Sequence, residues 1–138
     1  ARLILDLIDV KKGIKKTIPL RSPESSRLWG YAMDIMPAYL KIIEHIQDYN
    51  GSRLFLAGNK GDKIVTNIEL LKIISGLMDI EDYEVKFESY EPGEMINNKP
   101  ISFKMDASLS RAILGWQPSY TLEQGLKEVI HYFRGQYE

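Results

Sequence analysis

Few residues of this chain have the types and spacings that chemistry needs. The two histidines, His45 and His131, have no second imidazole or thiolate at ligand spacing, so both read as helix-surface residues rather than metal ligands. Cysteine is absent, which removes thiolate nucleophiles, thiolate metal sites and disulfides. No serine–histidine–acid set stands in a distinctive local context. Gly58-x-x-Gly61 lacks the third glycine of a dinucleotide loop, and the lysine–serine/threonine pair of a P-loop is missing too. Lys11, Lys12, Lys15 and Lys16 crowd around Gly13 as a solvated turn, because like charges prefer water unless a partner is present. The strongest local signal is acidic. Residues 79–98 hold seven acids (Asp79, Glu81, Asp82, Glu84, Glu88, Glu91, Glu94) and one base, Lys86. A diphosphate would be repelled there unless something compensates.

The elements that must position these groups belong to an ordinary globular chain. At 138 residues it is one domain, or part of one, able to bury a real core. An apolar share of 44% and a charged share of 27% are average. With 18 basic and 19 acidic side chains the net charge is −1, so nothing points to nucleic acid or a membrane surface. The aromatic residues are not interleaved with basic ones as a nucleic-acid platform requires. No apolar run approaches the ~18 residues of a membrane span, and no signal peptide is present. Together with the absent cysteines, this fits a cytoplasmic protein.

Periodicity gives the order of elements. Leu3, Ile4, Leu7 and Ile8 share one face of an opening helix that Gly13 can end. KKTIPL follows as an extended piece stopped by Pro19, and Leu28–Tyr31 as an aromatic extended segment. Asp34 is expected to cap the next helix, with Pro37 in its first turn and Tyr39, Leu40, Ile42, Ile43 and Ile46 as its buried face. Asn50-Gly51 is expected to close it. Arg53–Ala57 is a nearly unbroken apolar run, as in a strand covered on both faces. After a GNKGDK turn, Thr66 and Glu69 form a capping box with Val65 and Leu70 as the hydrophobic staple. Tyr83–Tyr90 alternates as a half-exposed strand, EPGEMINNKP is a long loop, and ISFKM alternates again. The pattern is α/β, a few short strands packed with about five helices, in a single domain over 1–138.

The C-terminal stretch contains two helix boundaries. DASLSRAIL ends at Gly115, where the left-handed conformation costs glycine little; Trp116 can fold back and Pro118 prevents resumption. Thr121 and Gln124 then open an amphipathic helix with Leu122, Leu126, Val129, Ile130 and Phe133 on one face. Asp106, Ser108, Arg111, Leu114, Gly115, Trp116, Pro118, Leu122, Glu123, Gly125 and Leu126 together resemble the tail of the extended short-chain dehydrogenase/reductases, the NAD-dependent nucleotide-sugar epimerases and dehydratases. Arg27, Trp29, Tyr31, Asp34 and Ile35 are similar to that family's R-D-F/Y-x-Y/H-V-x-D-L/I segment, and residues 53–74 to its strand, glycine turn and helix. The likeness covers nearly the whole chain and corresponds to the C-terminal, substrate-binding part of such a Rossmann-type enzyme, roughly its last two-fifths.

The resemblance implies a nucleotide-sugar site and not a redox one. Arg27 matches the arginine that reaches the substrate diphosphate, a target that suits a guanidinium fork. Tyr31 lies in the same segment. Glu94 keeps the carboxylate that meets a ribose hydroxyl, but Glu91 stands where the family has an arginine, leaving Lys99 or Lys104 as candidates for the missing cation. The family's N-terminal G-x-x-G-x-x-G loop is not here, and no tyrosine has a lysine four residues on, so the Tyr-x-x-x-Lys pair is absent. No catalytic residue, cofactor site or metal site is therefore expected in this chain. NAD(P) and the catalytic pair would come from a missing N-terminal segment or a separate chain. The alternative is a non-catalytic binding or assembly module descended from the family, which the acidic stretch favours. An uncovered strand at 53–57 would in either case drive self-association into a homo-oligomer.

Overall fold

The computed structural model describes all residues except 50, 52, 91–94, 97, 98 and 138. They fall into two compact units. One contains Ala1–Arg27, Val65–Phe103 and Leu126–Glu138; the other contains Leu28–Ile64 and Lys104–Gly125.

The first unit is built on α1 (Arg2–Lys11), β1 (Thr17–Arg21), α3 (Asn67–Met78) and β4 (Glu84–Glu88). β1 and β4 run parallel with Thr17 opposite Glu84 and Arg21 opposite Glu88. Parallel neighbours need a crossover, and α3 lies between them in sequence. Ile4, Leu7 and Ile8 of α1, Ile18 and Leu20 of β1, and Leu71, Ile74 and Met78 of α3 are buried. Each aliphatic side chain so buried stabilises the fold by about 1.5–3 kcal/mol. Pro19 does not stop β1 but sits inside it, opposite Lys86. Its missing N–H costs nothing because β1 has one hydrogen-bonded neighbour among the described residues. Thr66 and Glu69 form the expected capping box, and Val65 and Leu70 are buried. α3 ends at Asp79 in the left-handed conformation, and Arg134 of α5 (Leu122–Tyr137) donates to the Met78 carbonyl at 3.1 Å. The lysine turn makes internal contacts: Lys15 pairs with Asp6 and Asp9, and Lys12 donates to the Tyr137 carbonyl.

Short strands complete this unit. β2 (Ser26–Leu28) lies between β3 (Ile64–Thr66) and β7 (Ser102–Phe103), parallel to β7. The long loop contains a small antiparallel pair, β5 (Met95–Ile96) with β6 (Lys99–Pro100).

The second unit holds α2 (Ala32–Glu44), a 3₁₀ turn (Ile46–Tyr49) and α4 (Ser108–Leu114). Its core is Ala38, Leu114 and Trp116, against which Ile35, Ile42, Tyr49, Leu54 and Leu56 pack. The tail boundaries stand as expected. Gly115 is left-handed (φ 55°), Trp116 N–H reaches back to the Arg111 carbonyl, and Thr121 and Gln124 exchange capping bonds of 2.9 and 3.2 Å.

Four expectations for this unit are corrected. α2 starts three residues earlier than expected, with Tyr31 rather than Asp34 as its N-cap, so Pro37 lies inside the helix. α2 ends at Glu44, before Asn50-Gly51, and Asn50 lies outside the described residues. The face expected to be buried is largely exposed: Tyr39, Leu40, Ile43 and Ile46 are open, while Asp34 and Ala38 are buried. Finally, 53–57 forms no strand: no strand among the described residues pairs with it. Leu54 and Leu56 pack on the core and Phe55 faces outward.

Candidate functional site

The polar centre of the second unit is the turn after Ala57. Gly58 (φ 109°), Gly61 (φ 90°) and Asp62 (φ 48°) give it a backbone path that turns back on itself. Asn59 is buried and serves as its internal brace. Its amide donates to the Trp29 and Lys63 carbonyls at 2.8 and 3.1 Å and accepts from Lys63 N–H at 2.9 Å. Arg111, one helical turn before the end of α4, grips the same turn. Its guanidinium donates to both Asp62 oxygens at 2.7 and 2.6 Å and to the Ala57 carbonyl at 2.9 Å. Such a bidentate pair is among the stronger polar contacts available to a protein.

Beside this clamp is a cleft of about 390 Å3 lined by Asp62, Lys104, Asp106, Ser108 and Arg111 with apolar Leu28, Met105 and Ala107. The Arg111 hydrogen bond holds the Asp62 carboxyl below its ordinary pKa, and the guanidinium rises in turn. Asp106 is also lowered, chiefly by the N–H of Ser108, which it accepts at 2.9 Å. Both carboxylates are thus held ionised, away from the range in which a side chain exchanges protons at neutral pH. Two cations and two carboxylates make a site for orienting a polar ligand rather than for acid–base chemistry.

A second polar node lies at the start of α2. Burial would raise the Asp34 pKa, but hydrogen bonds from the Ser119 hydroxyl (2.6 Å), Tyr120 N–H and Ser119 N–H outweigh it and lower the value. Trp116 Nε1 donates to the Asp34 carbonyl at 3.0 Å. Tyr31 packs its ring 5.1 Å from that of Tyr120, and a Cβ on Gly125 would meet the Tyr31 Cβ at 2.9 Å.

Of the four residues singled out from sequence, Lys104 is exposed at the cleft and Tyr31 is half-buried elsewhere in the same unit. Arg27 belongs to the other unit. It sits exposed on β2 opposite Phe103, and its side chain makes no hydrogen bond or ion pair with the described residues. Glu94 lies outside the described residues. Sequence reasoning took Asp34 only as a helix cap and missed Asn59 and Asp62 as organising groups. Asp34 bonds Ser119, Asp62 bonds Arg111 and Asn59 bonds Trp29 across long stretches of sequence, and only the place of Arg111 in the tail pattern hinted at one of them. A dinucleotide pyrophosphate does not fit the Gly58 turn: a Cβ on Gly58 would lie 2.2 Å from Arg111 Nη2 and 2.5 Å from Asp62 Oδ1, so the chain's own side chains fill the cradle. Among the described residues there is no cluster able to hold a metal ion.

The arrangement matches known structures. The chain superposes on UDP-glucuronic acid 4-epimerase from Bacillus cereus in complex with UDP-glucuronic acid and NAD, with a TM-score of 0.77 and 18% identity over 98% of this chain. The chain has the fold of part of an extended short-chain dehydrogenase/reductase. Other solved structures with this extended short-chain dehydrogenase/reductase fold agree. UDP-glucose 4-epimerase from Thermotoga maritima with UDP-glucose gives 0.75 at 20% identity over 100% of the chain. dTDP-glucose 4,6-dehydratase from Bacillus anthracis with NAD gives 0.72 at 19% over 98%. The match covers 40%, 40% and 39% of those three chains respectively. In sequence, the chain is 29% identical over 118 residues to UDP-glucuronic acid decarboxylase 1 of Xenopus tropicalis, covering 85% of this chain and 25% of that protein. No family model matches the chain. No helix among the described residues is long and apolar enough to cross a membrane.

Proposed function

We propose that this chain supplies the nucleotide-diphosphate-sugar-binding portion of an NAD-dependent epimerase or dehydratase, and does not complete the redox reaction by itself. Arg27 contacts the diphosphate, Glu94 meets a ribose hydroxyl, Lys104 replaces the cation lost at Glu91, and Tyr31 contributes from the same segment as Arg27. The cofactor and the proton-exchanging pair come from an N-terminal segment or a separate chain. The observation that carries the reading is Arg27 itself, an exposed guanidinium with no carboxylate partner among the described residues. A planar five-donor cation left open in this way suits a diphosphate.

Thermal unfolding with uridine and thymidine diphosphates and their sugars tests this. A ligand at ~100 times its dissociation constant stabilises the fold by ~2.7 kcal/mol, and Arg27→Ala should abolish that gain. An equal gain in the variant would refute the role given to Arg27. A non-catalytic assembly module is the second reading, favoured by the acidic run 79–98. It expects no selective stabilisation by any nucleotide.

A further inference from the structure

The two outer edges of the parallel pair β1 and β4 differ. Glu84 N–H donates to the Lys16 carbonyl at 2.8 Å. Successive residues of a strand point their backbone groups to opposite sides, so Glu84, Lys86 and Glu88 face β1 while Val85 and Phe87 face away. By the same alternation Pro19 lies on the outer side of β1, where its missing N–H blunts that edge. β4 has no proline, and the N–H and C=O groups of Val85 and Phe87 have no hydrogen-bond partner among the described residues. The side chains of β4 also sort by face. Val85 and Phe87 stand opposite the buried Ile18 and Leu20, yet Phe87 is 61% exposed, so the apolar face of the sheet runs on past its cover. Glu84, Lys86 and Glu88 occupy the other face and are exposed, as are Asp79, Glu81 and Asp82 in the segment leading into β4. Residues 79–88 thus present five exposed acids and one base, Lys86. Of the bases bordering β1, Arg21 is engaged with Glu88 at 3.5 Å.

We propose that the free edge of β4 accepts an extended basic segment of another protein as an added strand. The open backbone groups of Val85 and Phe87 supply the main-chain hydrogen bonds, and the alternation of side chains sets the partner's pattern. A cationic residue at every second position meets Glu84 and Glu88, and an apolar one between them extends the face of Val85 and Phe87. Charge decides the occupant. Opposite charges across a strand pair stabilise it and like charges oppose it. In-register pairing with β4 of a second copy would set glutamate against glutamate and lysine against lysine, and an acidic segment would meet the acids directly. A basic segment meets neither obstacle. This contact does not depend on Arg27 or on the ligand proposed above.

The test is fluorescence anisotropy of a labelled, end-blocked seven-residue peptide of alternating lysine and valine, titrated with the 138-residue chain. Saturable binding is expected, and the glutamate–valine counterpart should not bind. An added strand uses every second amide toward its neighbour. N-methylation of one alternate set of peptide amides should therefore raise the dissociation constant about tenfold or more, and methylation of the other set should change it little. Glu84→Lys should weaken binding by a similar factor with the melting curve unchanged, since Glu84 is exposed. Val85→Pro, which deletes an outward N–H, is the independent second variant. Absence of binding overturns the proposal, as does equal binding of the acidic peptide. Equal effects of the two methylation patterns, or indifference to both variants, would mean a charge attraction without strand pairing and would overturn it too.

Discussion

Arg111 stabilises by direction as much as by charge. Its fork joins Asp62 and the Ala57 carbonyl, fixing both sides of the glycine turn. Arg111→Ala should cost about 2 kcal/mol, the usual loss when a hydrogen-bonded charge loses its partner, read as a lower midpoint in urea. Arg111→Lys should recover only part, because an ammonium cannot hold both oxygens in one plane. Recovery to full stability would show that charge alone matters. Gly58→Ala is expected to be worse than an ordinary glycine replacement. It adds a Cβ 2.2 Å from the guanidinium at a φ of 109°, and full wild-type stability in that variant would contradict the described turn.

At the scale of elements, legibility depended on how local the cause was. The Thr66 and Thr121 caps and the Gly115 stop follow from residues within four positions of one another, and each stands as read from sequence. The α2 face does not. Periodicity identifies an apolar stripe but not which side of the helix faces the core, and here the packing chose Ala38 and Ile42 over Leu40 and Ile43. Likewise Arg53–Ala57 has a strand's composition, but a strand needs a neighbour, and none is present among the described residues. The candidate site divides the same way. Arg27 and Lys104 could be named from sequence, whereas the Arg111–Asp62 and Asp34–Ser119 joins span 49 and 85 positions that no local pattern connects. The α2 start therefore depends on a distant loop. Asp34→Ala should leave the helix formed yet lower stability by about 2 kcal/mol, since Ser119 and Tyr120 lose their acceptor. A change below a few tenths would mean water replaces it fully.

For the whole molecule, the resolved carboxylate shifts share one sign. Asp34, Asp62 and Glu123 have folded pKa values below their ordinary ones; for Asp62 and Glu123 the leading causes are the hydrogen bonds from Arg111 and Lys63. A depressed carboxylate contributes stability that is present above its unfolded pKa, near 4, and is lost as pH falls through the folded value. The melting temperature should therefore drop on acidification below about pH 4, and the Asp34→Asn variant should lose part of that dependence. A chain that grows more stable in acid would contradict these assignments. The chain spans about two-fifths of the length of the solved enzymes it matches, and the role proposed for it is to bind a nucleotide sugar.

The most direct test of that role is the thermal unfolding of the unaltered chain and of Arg27→Ala with nucleoside diphosphate sugars. A nucleotide-sugar site organised by Arg27 should give a selective upward shift with one nucleotide class in the first and none in the second. No shift with any of them, or equal shifts in both, would contradict a nucleotide-sugar site organised by Arg27.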